Sequence, residues 1–258
     1  MTVETRAAQK RAAMDAGLTP GAAAVLMLIA AAGFVTRLWG LGDKSLWLDE
    51  AFTWAMTRLA AGDIISAARD QDIHPPAHYL LLRFWSGAFG DSELALRLPS
   101  ALAAGGSFLL LAYAGWRVGG LALAALAALL LAVNPAALEY AQEARFYPLI
   151  GLLALAATLC QVSYVTSPRP LPLVLYIIAS VTMVYTHYSG FVVLAVHALV
   201  FGWFGIQEWR GQRTTRLLAG AALAGAAVAA AYAPWYAALF QQIDTGGASA
   251  VPDPSPRL

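Results

Sequence analysis

Long apolar runs separated by short polar breaks dominate this chain. The runs cover residues 21–41, 99–116, 119–135, 146–166, 171–188, 190–206 and 217–239. A helix needs roughly 20 apolar residues, about 17 at the low end, to cross the hydrocarbon core of a bilayer. The pattern therefore predicts about seven spanning helices, with 119–135 only just long enough. An eighth stretch, 77–90, is apolar but short, carries Arg83 in its middle and follows Pro75-Pro76.

Charge decides how that stretch lies. Suppose it lies flat and the N-terminus is cytoplasmic. The inner loops then hold Arg6, Lys10, Arg11, Arg117, Arg169, Arg210, Arg213 and Arg216, against the acids Glu4, Asp15 and Glu208. If it crosses instead, the basic loop 207–216 faces outward, against the positive-inside rule. The expectation is an amphipathic interfacial helix at 77–90. A cytoplasmic segment over 1–20, a transmembrane module over 21–240 with its first outer loop at 42–98, and a disordered tail or linker over 241–258 complete the layout. Within the outer loop, 49–60 and 63–70 suit short surface helices. Gly119-Gly120 marks a tight cytoplasmic turn. Alanine- and glycine-rich runs at 101–106, 121–132 and 219–231 allow close helix packing.

Composition agrees with an all-α polytopic membrane protein. Of 258 residues, 60% are hydrophobic and 12% charged, with a mean hydropathy of +0.63. A soluble domain is nearer half apolar and a quarter charged. A net charge of +1 argues against general nucleic-acid binding. Cys160, the single cysteine, rules out an intrachain disulfide and a multi-cysteine metal site. The first apolar run is too long for a signal-peptide core and no cleavage site follows it, so it reads as an uncleaved span. The expected place is the inner or plasma membrane.

The chemistry gathers around Leu46-Trp47-Leu48-Asp49-Glu50-Ala51, two adjacent carboxylates just past the first run. Ionisable groups so close to a bilayer are costly and point to function. The plain alternative is that the acids only favour a helix start. With the predicted topology, Asp49, Glu50, His74, Arg97, the segment Glu139-Tyr140-Ala141-Gln142-Glu143-Ala144-Arg145 and Thr186-His187-Tyr188 all fall at the outer ends of spans. Both signs of charge at one depth suggest a cavity for a polar substrate. Simpler readings stand beside each residue: Arg97 before Pro99 could snorkel, Glu143 and Arg145 could form a structural ion pair, and His187 and Tyr188 could serve packing. His74 and His78 have a zinc-like spacing, but no third ligand is evident; two carboxylates could also hold a divalent ion. P-loop, Rossmann and serine-nucleophile motifs are absent, and no α/β domain is available for a soluble nucleotide sugar. A donor would therefore be lipid-borne.

Motifs in order along the chain carry a resemblance. Trp47-Leu48-Asp49-Glu50-Ala51, His74-Pro75-Pro76-Ala77-His78-Tyr79-Leu80-Leu81-Leu82 and Phe89-Gly90-Asp91-Ser92-Glu93-Leu94-Ala95-Leu96-Arg97-Leu98-Pro99-Ser100-Ala101 resemble GT-C glycosyltransferases, closest to the protein O-mannosyltransferase-like branch that includes the lipid A aminoarabinose and galacturonic acid transferases. Tyr140-Ala141-Gln142-Glu143-Ala144-Arg145-Phe146-Tyr147 and Tyr185-Thr186-His187-Tyr188 are similar to later motifs of that group, so the likeness covers residues 40–200. It implies an enzyme that takes a sugar from a polyprenyl-phosphate carrier on the extracytoplasmic side and transfers it, with inversion, to a glycan, lipid or protein. It implies Asp49 as general base, with Glu50 orienting Asp49 or the acceptor. Arg97 and Arg145, with His74, would hold the departing phosphate. Glu143, Tyr140, Tyr147, His187 and Tyr188 would bind or orient substrate, and no metal cofactor is favoured. Members of that group usually continue through further spans and often a soluble domain, so some phosphate-binding or lid residues are expected to be missing or supplied by another chain. A non-catalytic or truncated membrane subunit that needs a partner chain, and a lipid-saccharide transporter, are the rival readings.

Overall fold

A computed structural model describes residues 19–244. The cytoplasmic segment and the tail expected from the sequence lie almost wholly outside the described residues; residues 241–244 are helical. Among the described residues the regular structure is entirely helical. A first apolar helix, α1 (Pro20–Leu38), is followed by three short helices: α2 (Leu48–Thr57), α3 (Ala61–Asp70) and α4 (Ala77–Phe89). Then come the long α5 (Glu93–Val133), the short α6 (Pro135–Ala141), and α7 (Tyr147–Thr166), α8 (Pro170–Thr186), α9 (Gly190–Gln212) and α10 (Arg216–Tyr232). A 3-10 turn (Ala233–Trp235) leads into α11 (Tyr236–Asp244).

Among the described residues, five helical stretches are long and apolar enough to cross a bilayer: Pro20–Leu38, Glu93–Val133, Tyr147–Thr166, Gly190–Gln212 and Arg216–Asp244. Their outward faces are apolar, with Leu28, Leu109, Val192 and Leu199 each more than half exposed. That surface belongs in hydrocarbon, and the chain is a multi-pass membrane protein. α8 is also apolar but has 17 residues.

α5 is one element by hydrogen bonding but two in direction. Gly120 takes φ 75° and ψ −162°, a conformation open to glycine, and breaks the helix there. The arms fold back closely enough that a Cβ on Gly115 would lie 2.7 Å from the Cα of Ala124. The expected turn at Gly119-Gly120 is therefore present. Near the start of α5, Pro99 cannot donate to the carbonyl of Ala95. The indole N–H of Trp85 donates to that carbonyl instead, at 2.8 Å, and so fastens α4 to α5.

A buried arginine ties α1 to the far end of the same helix. Arg37 has no exposed surface. Its guanidinium donates to the carbonyls of Gly33 (2.9 Å), Leu131 (2.7 Å) and Ala132 (3.2 Å). It also lies 4.7 Å from the centre of the Phe108 ring. Leu131 and Ala132 end α5, where carbonyls lack intrahelical partners and the helix dipole favours a cation. Arg37→Met orphans these carbonyls and is expected to cost on the order of 2 kcal/mol. The thermal midpoint in detergent checks it; an unchanged midpoint would show that the carbonyls find other donors.

Candidate active site

Loops and helix ends from distant parts of the chain meet at one end of the bundle. The segment after α1, the starts of α2, α4 and α5, the α6–α7 loop and the turn after α8 all contribute. Asp49 and Glu50 stand at the second and third positions of α2. Adjacent residues on a helix do not share a face, and the two carboxylates go separate ways.

Glu50 is fully buried. Its Oε1 accepts from Arg97 Nε at 2.8 Å and from the Ala144 N–H at 2.7 Å. Its Oε2 accepts from Arg97 Nη2 at 2.7 Å and from the Trp47 N–H at 3.3 Å. Burial by itself would push this carboxyl up, but the Arg97 hydrogen bonds and charge, with the two backbone N–H groups, hold it below its ordinary value. Arg97 is equally committed. Its remaining donors go to the carbonyls of Leu41 (2.9 Å), Lys44 (2.8 Å) and Ser45 (3.1 Å). A guanidinium has five N–H donors, and protein atoms take all five here. Two sequence expectations are thereby corrected. Arg97 has no donor left for a phosphate, and Glu50, fully buried with both oxygens engaged, is not free to orient Asp49 or an acceptor. Together they clamp the α1–α2 loop, α5 and the α6–α7 loop.

Asp49 has a half-exposed side chain, and its Oδ2 lies 3.3 Å from Nη2 of Arg145. Arg145 is buried, and its Nε has no partner among the described residues. The guanidinium sits 5.0 Å from the centre of the Phe146 ring and 5.8 Å from that of Tyr147. Ser100 Oγ fixes the arginine's backbone by donating to its carbonyl at 2.9 Å. The α6–α7 loop thus presents a cation with spare donors, facing a carboxylate open to solvent. The carboxyl of Glu143, in the same loop, makes no hydrogen bond or ion pair with the described residues, while its backbone N–H donates to the Tyr140 carbonyl at 3.4 Å. Burial, then the negative charges of Glu50, Glu139 and Asp49, push its carboxyl up, against the pull of Arg145.

Phe146 is the hub of the adjoining wall. His74 packs against it at 4.9 Å between ring centres, His187 stacks on it at 4.5 Å, and His78 meets it edge-on at 6.0 Å. Burial first, then the charges of His74 and Arg145, lower His187 to about 4; burial first, with Arg145 and His74 adding, does the same to His78. His78 Nε2 faces the Ala144 carbonyl at 3.4 Å, while His74 Nδ1 faces Asp72 at 3.0 Å, so the suggested zinc pair is divided. No group of three potential ligands converges among the described residues. Tyr140 and Tyr147 stack at 4.4 Å and line an apolar cavity of about 430 Å³ with Ala104, Ser107, Leu111 and Leu155. Tyr188 is drawn away from the centre: its hydroxyl donates to Gln242 and accepts from Trp235 Nε1.

The structure thus brings Asp49, Glu143, Arg145, His74 and His187 into one region, with Tyr140 and Tyr147 at its apolar edge. Asp72, Phe146 and Gln242 were not singled out as functional from the sequence. Asp72 could have been, since it precedes a histidine by two positions. Gln242, from α11, donates to the carbonyls of Asp72 (2.8 Å) and Ala68 (2.9 Å) and fastens that loop from the other end of the chain. Comparison of the chain with protein-family models, with curated proteins and with solved structures yields no match.

Proposed function

We propose that the protein is a glycosyltransferase of GT-C type that moves a sugar from a polyprenyl-phosphate donor to an acceptor hydroxyl at the extracytoplasmic face. The observation that carries this reading is the juxtaposition of Asp49 and Arg145. In the reaction, the acceptor oxygen forms its bond to the anomeric carbon as its proton passes to Asp49. The bond between that carbon and the phosphate oxygen breaks, and its electron pair stays on the phosphate. Arg145 stabilises the charge that develops there; its planar fork suits phosphate oxygens. Attack opposite the leaving group inverts the anomeric centre. Glu143 orients the acceptor or the sugar hydroxyls, and the Tyr140–Tyr147 pair bounds the apolar side.

The same reading counts seven crossings. α5 supplies two through its reversal at Gly120, and α8, whose 17 residues extend roughly 25 Å, supplies another. α2, α3 and α4 lie at the interface; Leu81, Phe84 and Phe89 of α4 are exposed and apolar while His78, Tyr79 and Leu82 are buried. The basic inner loops set the N-terminus in the cytoplasm.

The test is transfer by the purified full chain in lipid nanodiscs, supplied with radiolabelled polyprenyl-phosphate hexoses and pentoses and followed as label released from the carrier. Arg145→Lys keeps the charge but loses the fork, and is expected to slow transfer by about 10²-fold. Equal rates for variant and wild type would remove Arg145 from the chemistry. No release from any such donor would remove the reading itself.

A further inference from the structure

The C-terminal end of α2 and one side of α4 enclose a shallow polar dish of about 580 Å³ that the scheme above does not use. Arg58, just past α2, and Arg83, in the middle of α4, line it together with Asp91, Ser86 and Phe84. Asp49 stands at the second position of α2 and Thr57 at its last, which separates the dish from Asp49 by roughly 12 Å along the helix axis. We propose that this dish holds the anionic headgroup of a bilayer phospholipid, with one negatively charged phosphodiester between Arg58 and Arg83. The inference needs the interfacial placement of α2 and α4, not the transferase chemistry.

Charge balance carries the first half of the argument. The Asp91 carboxylate accepts from Arg58 Nη1 at 2.6 Å and from the Trp54 indole N–H at 3.2 Å. The Trp54 bond first, then Arg58, holds that carboxyl below its ordinary value, so it is ionised at neutral pH. Arg83 donates to the Thr57 carbonyl at 3.2 Å and pairs with no carboxylate among the described residues. Two guanidinium groups therefore share one carboxylate, an excess of one positive charge. A guanidinium has five N–H donors, and each of these arginines spends one on the described residues. The rest are open to an anion.

The rim selects a lipid over a soluble anion. Leu81, Phe84 and Ala88 recur on one face of α4 at i, i+3 and i+7, and all three are exposed. Phe84 is 70% exposed and also lines the dish, so the apolar stripe and the cationic floor share an edge. On a helix lying in the membrane surface such a stripe sinks to the boundary between headgroups and acyl chains. Lipid phosphates then lie at the depth of the arginines. Gly87 and Gly90 keep the floor open, since a Cβ on either would meet no atom within 4 Å. A phosphodiester brings one negative charge and closes the balance, whereas a phosphocholine headgroup brings its own cation as well. Bound there, the lipid bridges the end of α2 to α4 and holds at the interface the helix whose first turn carries Asp49.

Native mass spectrometry tests this on the full chain, released from micelles holding equal amounts of dioleoylphosphatidylglycerol and dioleoylphosphatidylcholine. Wild type should retain one phosphatidylglycerol in preference to phosphatidylcholine; equal retention overturns the proposal. A basic residue near a membrane surface is worth about fivefold in affinity, so Arg58→Gln with Arg83→Gln should weaken phosphatidylglycerol binding about 25-fold and leave phosphatidylcholine unchanged. Unchanged phosphatidylglycerol binding in that double variant overturns it too. Should the double variant fail to fold, Asp91→Asn decides: loss of the competing carboxylate should tighten phosphatidylglycerol binding about fivefold, and weaker or equal binding sinks the charge argument. If sn-glycerol 1-phosphate, which has no acyl chains, displaces the lipid at equal concentration, the dish takes soluble anions and the lipid assignment falls. Phe84→Gln should weaken retention; if it does not, the α4 stripe is not among acyl chains and the interfacial placement falls, whatever the outcome of the transfer assay.

Discussion

Replacing Glu50 by glutamine is expected to destabilise the protein by about 3–5 kcal/mol, the range for breaking one side of a buried ion pair. The carboxylate is fully buried and accepts four hydrogen bonds, two from Arg97 and one each from the N–H groups of Trp47 and Ala144. Glutamine keeps the shape but turns one acceptor oxygen into a donor. Either Arg97 or a backbone N–H must then face another N–H, and the guanidinium loses its counter-charge. The midpoint of thermal unfolding in nanodiscs reads the effect; a loss under about 1 kcal/mol would show that water or a relaxed loop replaces the carboxylate. The sign with pH also follows. A carboxyl held low in the folded state stabilises fully above its unfolded value, near about 4.3. That contribution is lost as pH falls through the lower folded value. Wild type should therefore lose stability in acid more steeply than Glu50→Gln.

Much of the architecture was legible because its causes are local. Apolar runs and glycine breaks mark helices directly, and the reversal at Gly120 needed only a residue able to take positive φ. The short helices between α1 and α5 start and stop within a few residues of where their sequence places them. Clustering of the polar motifs at one end of the bundle was also legible, from parity. Roles within the cluster were not. Asp49 and Glu50 are neighbours in sequence, and composition cannot say which one the helix turns inward. Arg97 and Arg145 look alike in the chain, yet five carbonyl and carboxylate acceptors exhaust the first, while the second keeps a buried Nε with no partner among the described residues. The acceptors that decide this come from loops far away in sequence. Asp72 was hidden for the opposite reason: near Pro75-Pro76 it reads as a helix start, and its partner Tyr79 becomes visible only when α4 is placed.

Asp49→Asn is expected to lower transfer by 10²–10⁴-fold, roughly the contribution of a positioned general base, while leaving the fold intact. The contrast with Glu50 is physical. The Asp49 side chain is 40% exposed, and its one charged contact among the described residues is Arg145 at 3.3 Å. Its loss from the first turn of α2 removes only a small helix-dipole term, about 0.3–1 kcal/mol. Asparagine also withdraws a negative charge that competes with phosphate for Arg145. Farnesyl phosphate should therefore bind the variant at least as tightly as wild type while sugar transfer collapses. That split separates a base from a mere anchor, because an anchor would lose binding and rate together. Glu143 is the rival for the proton. It is partly buried, its carboxyl has no partner among the described residues, and that carboxyl is pushed up first by burial and then by its acidic neighbours, the direction general-base work favours. If Glu143→Gln abolishes transfer and Asp49→Asn does not, the base is Glu143, and Asp49 is left to hold Arg145 in place until the phosphate arrives.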